Sequence, residues 1–319
     1  MISLNGQAAR IVQRMIDEAE ALGLVVQRYP SGATVVDAGV AVPGSLEAGR
    51  LFAEVCMGGL GQVQFCVLEF SGVQLPGVKV VVSRPPLACV AAQFAGWPVK
   101  GGESGNRYQA MGSGPARALR GEEELYERLG YWDESDVAVL ALEAGQLPPE
   151  EVVEEIADAC HVSPDHLYLV VASIASLAGS VQVAARVVEA GMHKMVALGF
   201  DVRTVISASG TCPLAPVAED AVVAIGRAND AVLYGGQAWY TVRAEDGAIE
   251  AVVDQLPSCA SRDYGASFYE LFQRYGCDFY SIDPLLFSVA ELSIHNVTSG
   301  RTFTAGAVNG DMVRRSLLG

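Results

Sequence analysis

Four polar residues recur along one apolar stretch at helical intervals: Gln182, Arg186, Glu189 and His193, spaced four, three and four apart. On an α-helix, residues three and four apart share a face. Val181, Ala184, Val188, Met192 and Met195 form an apolar stripe beside them, so the periodicity predicts one helix over residues 179–198. That helix would align an amide, a guanidinium, a carboxylate and an imidazole along one side. The Arg186/Glu189 pair then has two readings. It is a solvated ion pair contributing about 0.2–0.5 kcal/mol, or it is a carboxylate held beside a cation for acid–base work. The residues alone leave both open.

Other arrangements that carry chemistry are missing. His161, His166, His193 and His295 show no H-E-x-x-H or Cys/His zinc spacing. The pair around Ser163-Pro164-Asp165 reads as a surface turn. The seven Cys form no C-x-x-C pair and read as reduced, mostly buried thiols of a cytoplasmic protein. Gly59/Gly61 and Gly112/Gly114 do not complete G-x-G-x-x-G, and no phosphate loop occurs. A nicotinamide or nucleoside triphosphate enzyme of the usual kind is therefore disfavoured, as is an α/β-hydrolase, whose G-x-S-x-G elbow is absent.

The elements that must position these residues alternate between helix and strand. An amphipathic helix carries Leu4, Ala8, Ile11, Met15, Ala19 and Leu22, with Gly23 as its stop. Strands are predicted at 24–28, 33–37, 62–70, 78–83, 136–143, 167–171 and 202–207, and then at 231–233, 238–244 and 248–253. Helices are predicted from Ser45 to about Val55, at 122–130, 148–160 and 264–275, beside the one over 179–198. The alternation argues for an α/β class. Gly44-Ser45-Leu46 with Arg50 and Glu54 resembles Gly179-Ser180-Val181 with Arg186 and Glu189. Internal duplication into two lobes, approximately 1–170 and 171–319 with segments free to exchange, is one account of this; chance between Ala/Val/Gly-rich helices is the other.

The bulk composition is in keeping with that. With 319 residues, 51% hydrophobic and only 18% charged, the chain has ample material for a large core or a subunit interface. The formal net charge of −16, without a Lys/Arg cluster, excludes a nucleic-acid partner. No stretch is long and apolar enough to predict a membrane span, and no signal-peptide pattern opens the chain.

Four further segments are too particular to be ordinary punctuation. They are Gln93-Phe94-Ala95-Gly96-Trp97, following Pro86-Leu87-Ala88-Cys89; Ala110-Met111-Gly112-Ser113-Gly114-Pro115; Ala178-Gly179-Ser180-Val181-Gln182, leading to Arg186 and Glu189; and Asn229-Asp230-Ala231 running to Tyr234-Gly235-Gly236. In this order and spacing they closely resemble the methenyltetrahydromethanopterin cyclohydrolase family, nearly end to end.

The resemblance implies two α/β lobes with a substrate cleft between them and a homo-oligomer, a trimer. It implies reversible hydrolysis of 5,10-methenyltetrahydromethanopterin to the 5-formyl derivative, without metal or organic cofactor, in methanogenesis or formaldehyde oxidation. It assigns the catalytic pair to Arg186 and Glu189. A methenyl bridge between two nitrogens is already a cationic electrophile, so what remains is to position a water and take its proton. Glu189 suits that task, and Arg186 would hold it. Gln93, Gln182 and Asp230 are expected at the pterin, and Gly112, Ser113 and Gly114 would present backbone N–H groups to it, a tight turn before Pro115 being the alternative. Trp97 is expected in the core, and Lys100 and Arg107 are candidates for the ligand's acidic tail, a plain surface position being the alternative. A cofactor-free enzyme on another pterin or folate adduct, and a carrier of reduced pterin, are the competing readings; the intact Arg186/Glu189 pair speaks against the carrier.

Overall fold

The computed structural model describes residues 2–101, 108–278 and 281–319, so Arg107 lies outside the described residues. The chain forms two compact units that exchange segments. One comprises Met1–Gly61 and Leu87–Gln182, the other Gln62–Pro86 and Val183–Gly319. Each holds a six-stranded mixed sheet, which makes the protein α/β as expected.

The first unit runs α1 (Leu4–Asp17), α2 (Ala19–Leu22), β1 (Val25–Arg28), β2 (Thr34–Gly39) and α3 (Leu46–Cys56). The chain then leaves as the pair β3 (Gly61–Phe70) and β4 (Val73–Val82). It returns through a wide π-helical stretch, Pro86–Gln93, and continues as β5 (Trp97–Gly101), β6 (Tyr108–Ser113), α4 (Ala116–Arg120), α5 (Glu124–Leu129), β7 (Ala138–Glu143), α6 (Glu150–Ala159), β8 (Leu167–Ala172) and α7 (Leu177–Ala184). The strand order is β1-β2-β8-β7-β6-β5. The central strands β2, β8 and β7 are parallel and buried almost throughout, because apolar layers cover both faces. Val139, Ala141, Val170 and Ala172 pack with α1 and α3; Leu140, Leu142, Leu169 and Val171 pack with α6. Continuous runs such as Ala-Val-Leu-Ala-Leu in β7 are what such two-sided burial requires.

The second unit continues with α8 (Val187–Ala197), β9 (Val205–Pro213), α9 (Ala221–Gly235), β10 (Gln237–Val242), α10 (Asp246–Glu250), α11 (Phe268–Arg274), β11 (Glu291–Asn296), β12 (Thr302–Gly306) and α12 (Gly310–Leu318). Its sheet order is β12-β11-β10-β9-β4-β3. Here the strands alternate. Val80, Gly210, Ala238 and Leu292 are in register on the inner face, and Val81, Ser209, Trp239 and Ser293 on the other. Val81 and Trp239 on that second face are exposed.

The structure departs from the sequence reading in several places. The helix expected over 4–22 is divided into α1 and α2, the strand expected at 202–207 opens as a 3₁₀ turn at Val202–Thr204, and three further departures follow. The helix expected over 179–198 is two helices. Ala185 and Arg186 form a turn in which the Arg186 N–H reaches back only to the Val183 carbonyl, at 3.0 Å. The two halves answer to different cores: Gly49 of α3 leaves no room for a Cβ against Ala178 and Val181, while Gly191 of α8 abuts the Tyr240 hydroxyl. The strand expected at 231–233 is the end of α9, whose start is fixed by Asp220 accepting from the Val222 and Val223 N–H groups. The Asn-Asp-Ala…Tyr-Gly-Gly segment is therefore helical until its final glycines. The strand expected at 248–253 is α10 followed by a 3₁₀ turn at Val253–Gln255; Glu245 and Asp246 at its start favour a helix N-terminus.

Candidate active site

Arg186 is the cap residue of α8, and Glu189 lies in the helix's first turn. The helix is seated by close contacts that only glycines allow: a Cβ at Gly210 would meet the Val187 side chain at 2.9 Å, and one at Gly191 would overlap the Tyr240 hydroxyl. That hydroxyl donates to the Val188 carbonyl at 2.9 Å. A guanidinium nitrogen of Arg186 stands 3.5 Å from Glu189 Oε2, and the two side chains are only 16% and 10% exposed. The pair is therefore not on an open solvated face, which would leave both side chains exposed to water. A nearly buried carboxylate needs a partner, and it has both a permanent cation and the positive end of a helix dipole. His193, the fourth member of the predicted stripe, is exposed, and the turn at 185–186 separates Gln182 on α7 from the other three at α8.

Gln182 lies one turn of sequence before Arg186, on α7. That helix starts through Ser176, whose hydroxyl accepts from the Gly179 N–H at 3.0 Å and donates to the Ser173 carbonyl at 2.7 Å. Gly179 is obligatory here, because a Cβ would stand 2.0 Å from the Ser173 carbonyl oxygen. Gln182 is buried, and its amide donates to Glu143 Oε2 at 2.8 Å. Glu143 is the final residue of β7.

Gln93, Gly112, Ser113 and Gly114 gather beside the same strand. Gly112 pairs with Leu142 and Ser113 with Ala141. The Ser113 hydroxyl donates to the Gln93 backbone carbonyl at 2.7 Å. The segment is a strand through Ser113 and a bend at Gly114, whose φ of +106° requires glycine. The Gly114 N–H is committed to the Ala92 carbonyl at 2.8 Å. Arg117 donates to that carbonyl as well, at 3.0 Å, and pairs with Glu123 at 2.6 Å. The π-helical stretch thus has its last carbonyls collected by Ser113, Gly114 and Arg117. Trp97 is buried as expected, under the Arg120 guanidinium, and Lys100 is exposed.

Asp230 lies in the interior of the second unit. It is fully buried. One oxygen accepts from the Phe268 N–H at 2.8 Å and the other from the Ser316 hydroxyl at 2.6 Å, so it ties α9 to the start of α11 and to α12. Burial pushes its carboxyl up to about 7.

Two groups escaped the sequence reading. Glu143 looked like the polar end of a strand, and no spacing links it to Gln182. Lys194 on α8 is fully buried. Its ammonium donates to the carbonyls of Pro257, at 2.8 Å, and Leu285, and burial pushes it down to about 8. A lysine beside a histidine in sequence ordinarily reads as surface. Among the described residues no group of three or more His, Cys, Asp or Glu is arranged to hold a metal ion, and no helix is long and apolar enough to cross a membrane.

The chain is similar to known proteins along nearly its whole length. The family model described as Cyclohydrolase (MCH) matches residues 3–317. A methenyltetrahydromethanopterin cyclohydrolase of Methanocaldococcus jannaschii is 46% identical over 322 residues, covering 99% of this chain and 98% of the relative. The protein of that name from Methanothermobacter marburgensis is 44% identical over 321 residues, covering 99% of each. The one from Methylobacillus flagellatus is 42% identical over 318 residues, covering 98% of this chain and 95% of the relative.

Proposed function

Since the chain belongs to the methenyltetrahydromethanopterin cyclohydrolase family, we propose that it hydrolyses 5,10-methenyltetrahydromethanopterin to the 5-formyl derivative, with Glu189 as the base. The observation that carries the residue assignment is the buried Arg186–Glu189 pair in the first turn of α8.

The bridge carbon of the substrate is an amidinium carbon and bears a delocalised positive charge. It needs no Lewis acid to become electrophilic. Glu189 orients a water against it and takes one proton as the oxygen–carbon bond forms. The bond from that carbon to N10 then breaks; N10 keeps the bonding pair and takes a proton, the formyl group stays on N5, and one proton goes to solvent. The substrate's charge falls from +1 to zero, so Glu189 also favours the cation in place before reaction. Arg186 fixes the carboxylate's rotamer and cannot itself lose its proton. Gln93, Ser113 and Gln182 are the groups of the first unit assigned to the pterin in this reading. Gly112 and Gly114 shape the strand end on which they stand, and Asp230 acts through the packing of α9, α11 and α12.

The test is loss of the amidinium's near-ultraviolet absorbance on mixing protein with the methenyl substrate, in the presence of a chelator. Wild-type protein should be fast and indifferent to the chelator. Glu189→Gln should lose about 10²–10⁴-fold in turnover while still binding. Near-normal turnover by that variant would end the base assignment. Because one proton is released, the product-to-substrate ratio at equilibrium should rise about tenfold per pH unit.

A homotrimer belongs to the same reading. What supports it is the outer face of the second unit's sheet, where Val81 and Trp239 stand exposed among Ser and Thr. Light scattering should give three chains per particle for the wild type and a smaller particle for Trp239→Glu.

A further inference from the structure

We infer that Tyr240 is a positioning residue for the reaction, its hydroxyl holding the first turn of α8 so that Glu189 is presented to the substrate; this rests on the function proposed above. Several helices of the protein begin on a side chain that accepts from their first N–H groups: Ser3 for α1, Ser45 for α3, Asp220 for α9, Ser267 for α11 and Asn309 for α12. α8 has Arg186 at that position and no such bond, since a guanidinium carries donors only. The cap position is given over to pairing with Glu189 instead. A first turn begun without a capping side chain is the part of a helix most given to fraying, and Glu189 stands in that turn.

The second unit's sheet supplies the missing restraint. Tyr240 lies on β10, in register with Ala208 of β9 and Ile294 of β11, and is fully buried. A ring enclosed in a close-packed interior keeps one rotamer, so its hydroxyl is a fixed point. It donates to the Val188 carbonyl at 2.9 Å, one residue before Glu189. The same hydroxyl fills the space beside Gly191, where a Cβ would stand 2.1 Å from it. Glycine inside a helix is less stable than alanine; here it opens the helix surface to the tyrosine. Val187, against Gly210 and Gly236, seats the residue before. The Val188 carbonyl lies within α8, where the helix's own N–H ladder serves it. The tyrosine's bond is thus not needed to satisfy that oxygen. What it adds is location.

The experiment measures kcat and KM for Tyr240→Phe on the methenyl substrate, in the wild-type and Glu189→Gln backgrounds, with Tyr234→Phe as control. Phenylalanine keeps the ring and removes the hydroxyl alone. Displacing a reacting group by about 1 Å can cost about 100-fold. Tyr240→Phe should lower kcat about 10- to 100-fold with KM within about two-fold, the mark of an interaction realised in the transition state. Tyr234→Phe loses a comparable bond, to the Ala266 carbonyl, and should keep kcat within about two-fold at a similar or lower Tm. With Glu189→Gln already present, Tyr240→Phe should cost less than about two-fold more, because no base remains to misplace. An unchanged kcat, an effect confined to KM, an equal kcat loss in Tyr234→Phe, or a full further loss in the Glu189→Gln background would overturn the role of Tyr240 and leave the hydrolase reading intact. Near-normal turnover by Glu189→Gln alone would end the base assignment and this role with it. Failure of wild-type protein to act on the methenyl substrate would overturn both readings.

Discussion

Two buried ionisable side chains, Asp230 and Lys194, make the stability of the fold depend on pH. Asp230 has its carboxyl raised to about 7 by burial. A raised acid holds its proton more tightly in the folded than in the unfolded chain, so the stability it contributes is full below the ordinary carboxylate range and is lost as pH rises through about 7. Asn mimics the protonated form and keeps both contacts. Asp230→Asn should therefore flatten the fall in urea midpoint between about pH 4 and pH 7; an unchanged slope would show that another group sets it. Lys194 works in the opposite sense. Its ammonium is lowered to about 8, the unfolded chain binds the proton more tightly, and stability should rise with pH from there toward the ordinary lysine value. Lys194→Met should remove that rise. It should also cost about 1–3 kcal/mol at neutral pH through the carbonyls of Pro257 and Leu285 left without their donor, read from the same titrations.

Among the elements, α7 is the one whose entry admits least change. Gly179→Ala would press a methyl into the Ser173 carbonyl and should destabilise by about 1–3 kcal/mol or more. Thermal unfolding measures it, with Gly145→Ala, where nothing lies within 4 Å, as the neutral control. This element also shows what the sequence could and could not convey. Strands β2, β7, β8 and β10, the start of α3 and the stop at Gly23 follow from local period and punctuation, and those emerged within a residue or two. The polar spacing from Gln182 to Glu189 was legible as well. Its interruption at Ala185 and Arg186 was not, because Arg186 is an excellent helix former and the break answers to packing on two different sheets. For the same reason the end of α9 read as strand: Ala-Val-Leu carries no mark of which period it obeys until its neighbours are in place. Glu143 stayed hidden because its relation to Gln182 exists only across a packed sheet and helix.

For the whole molecule, a net charge of −16 means self-repulsion that salt can relieve. As the screening length falls from about 10 Å at 0.1 M salt to about 3 Å at 1 M, Tm should rise; a fall would show that ion pairs such as Arg301 with Asp246 and Glu250 outweigh the repulsion. The interleaving of the two units has a consequence for the order in which the chain can be built. The first unit has all its residues only once Gln182 has been made, while β3 and β4 are already waiting. β4 ends at Val82, and its neighbour β9 does not begin until Val205. At about 5–20 residues per second, this pair spends several seconds outside the ribosome with an unmatched edge. Its hazard to the cell is thus greatest during synthesis. Lys79 and Glu69 are charged and exposed, and Pro76 within β4 has no N–H to offer; these are the features that keep such an edge from joining another nascent chain.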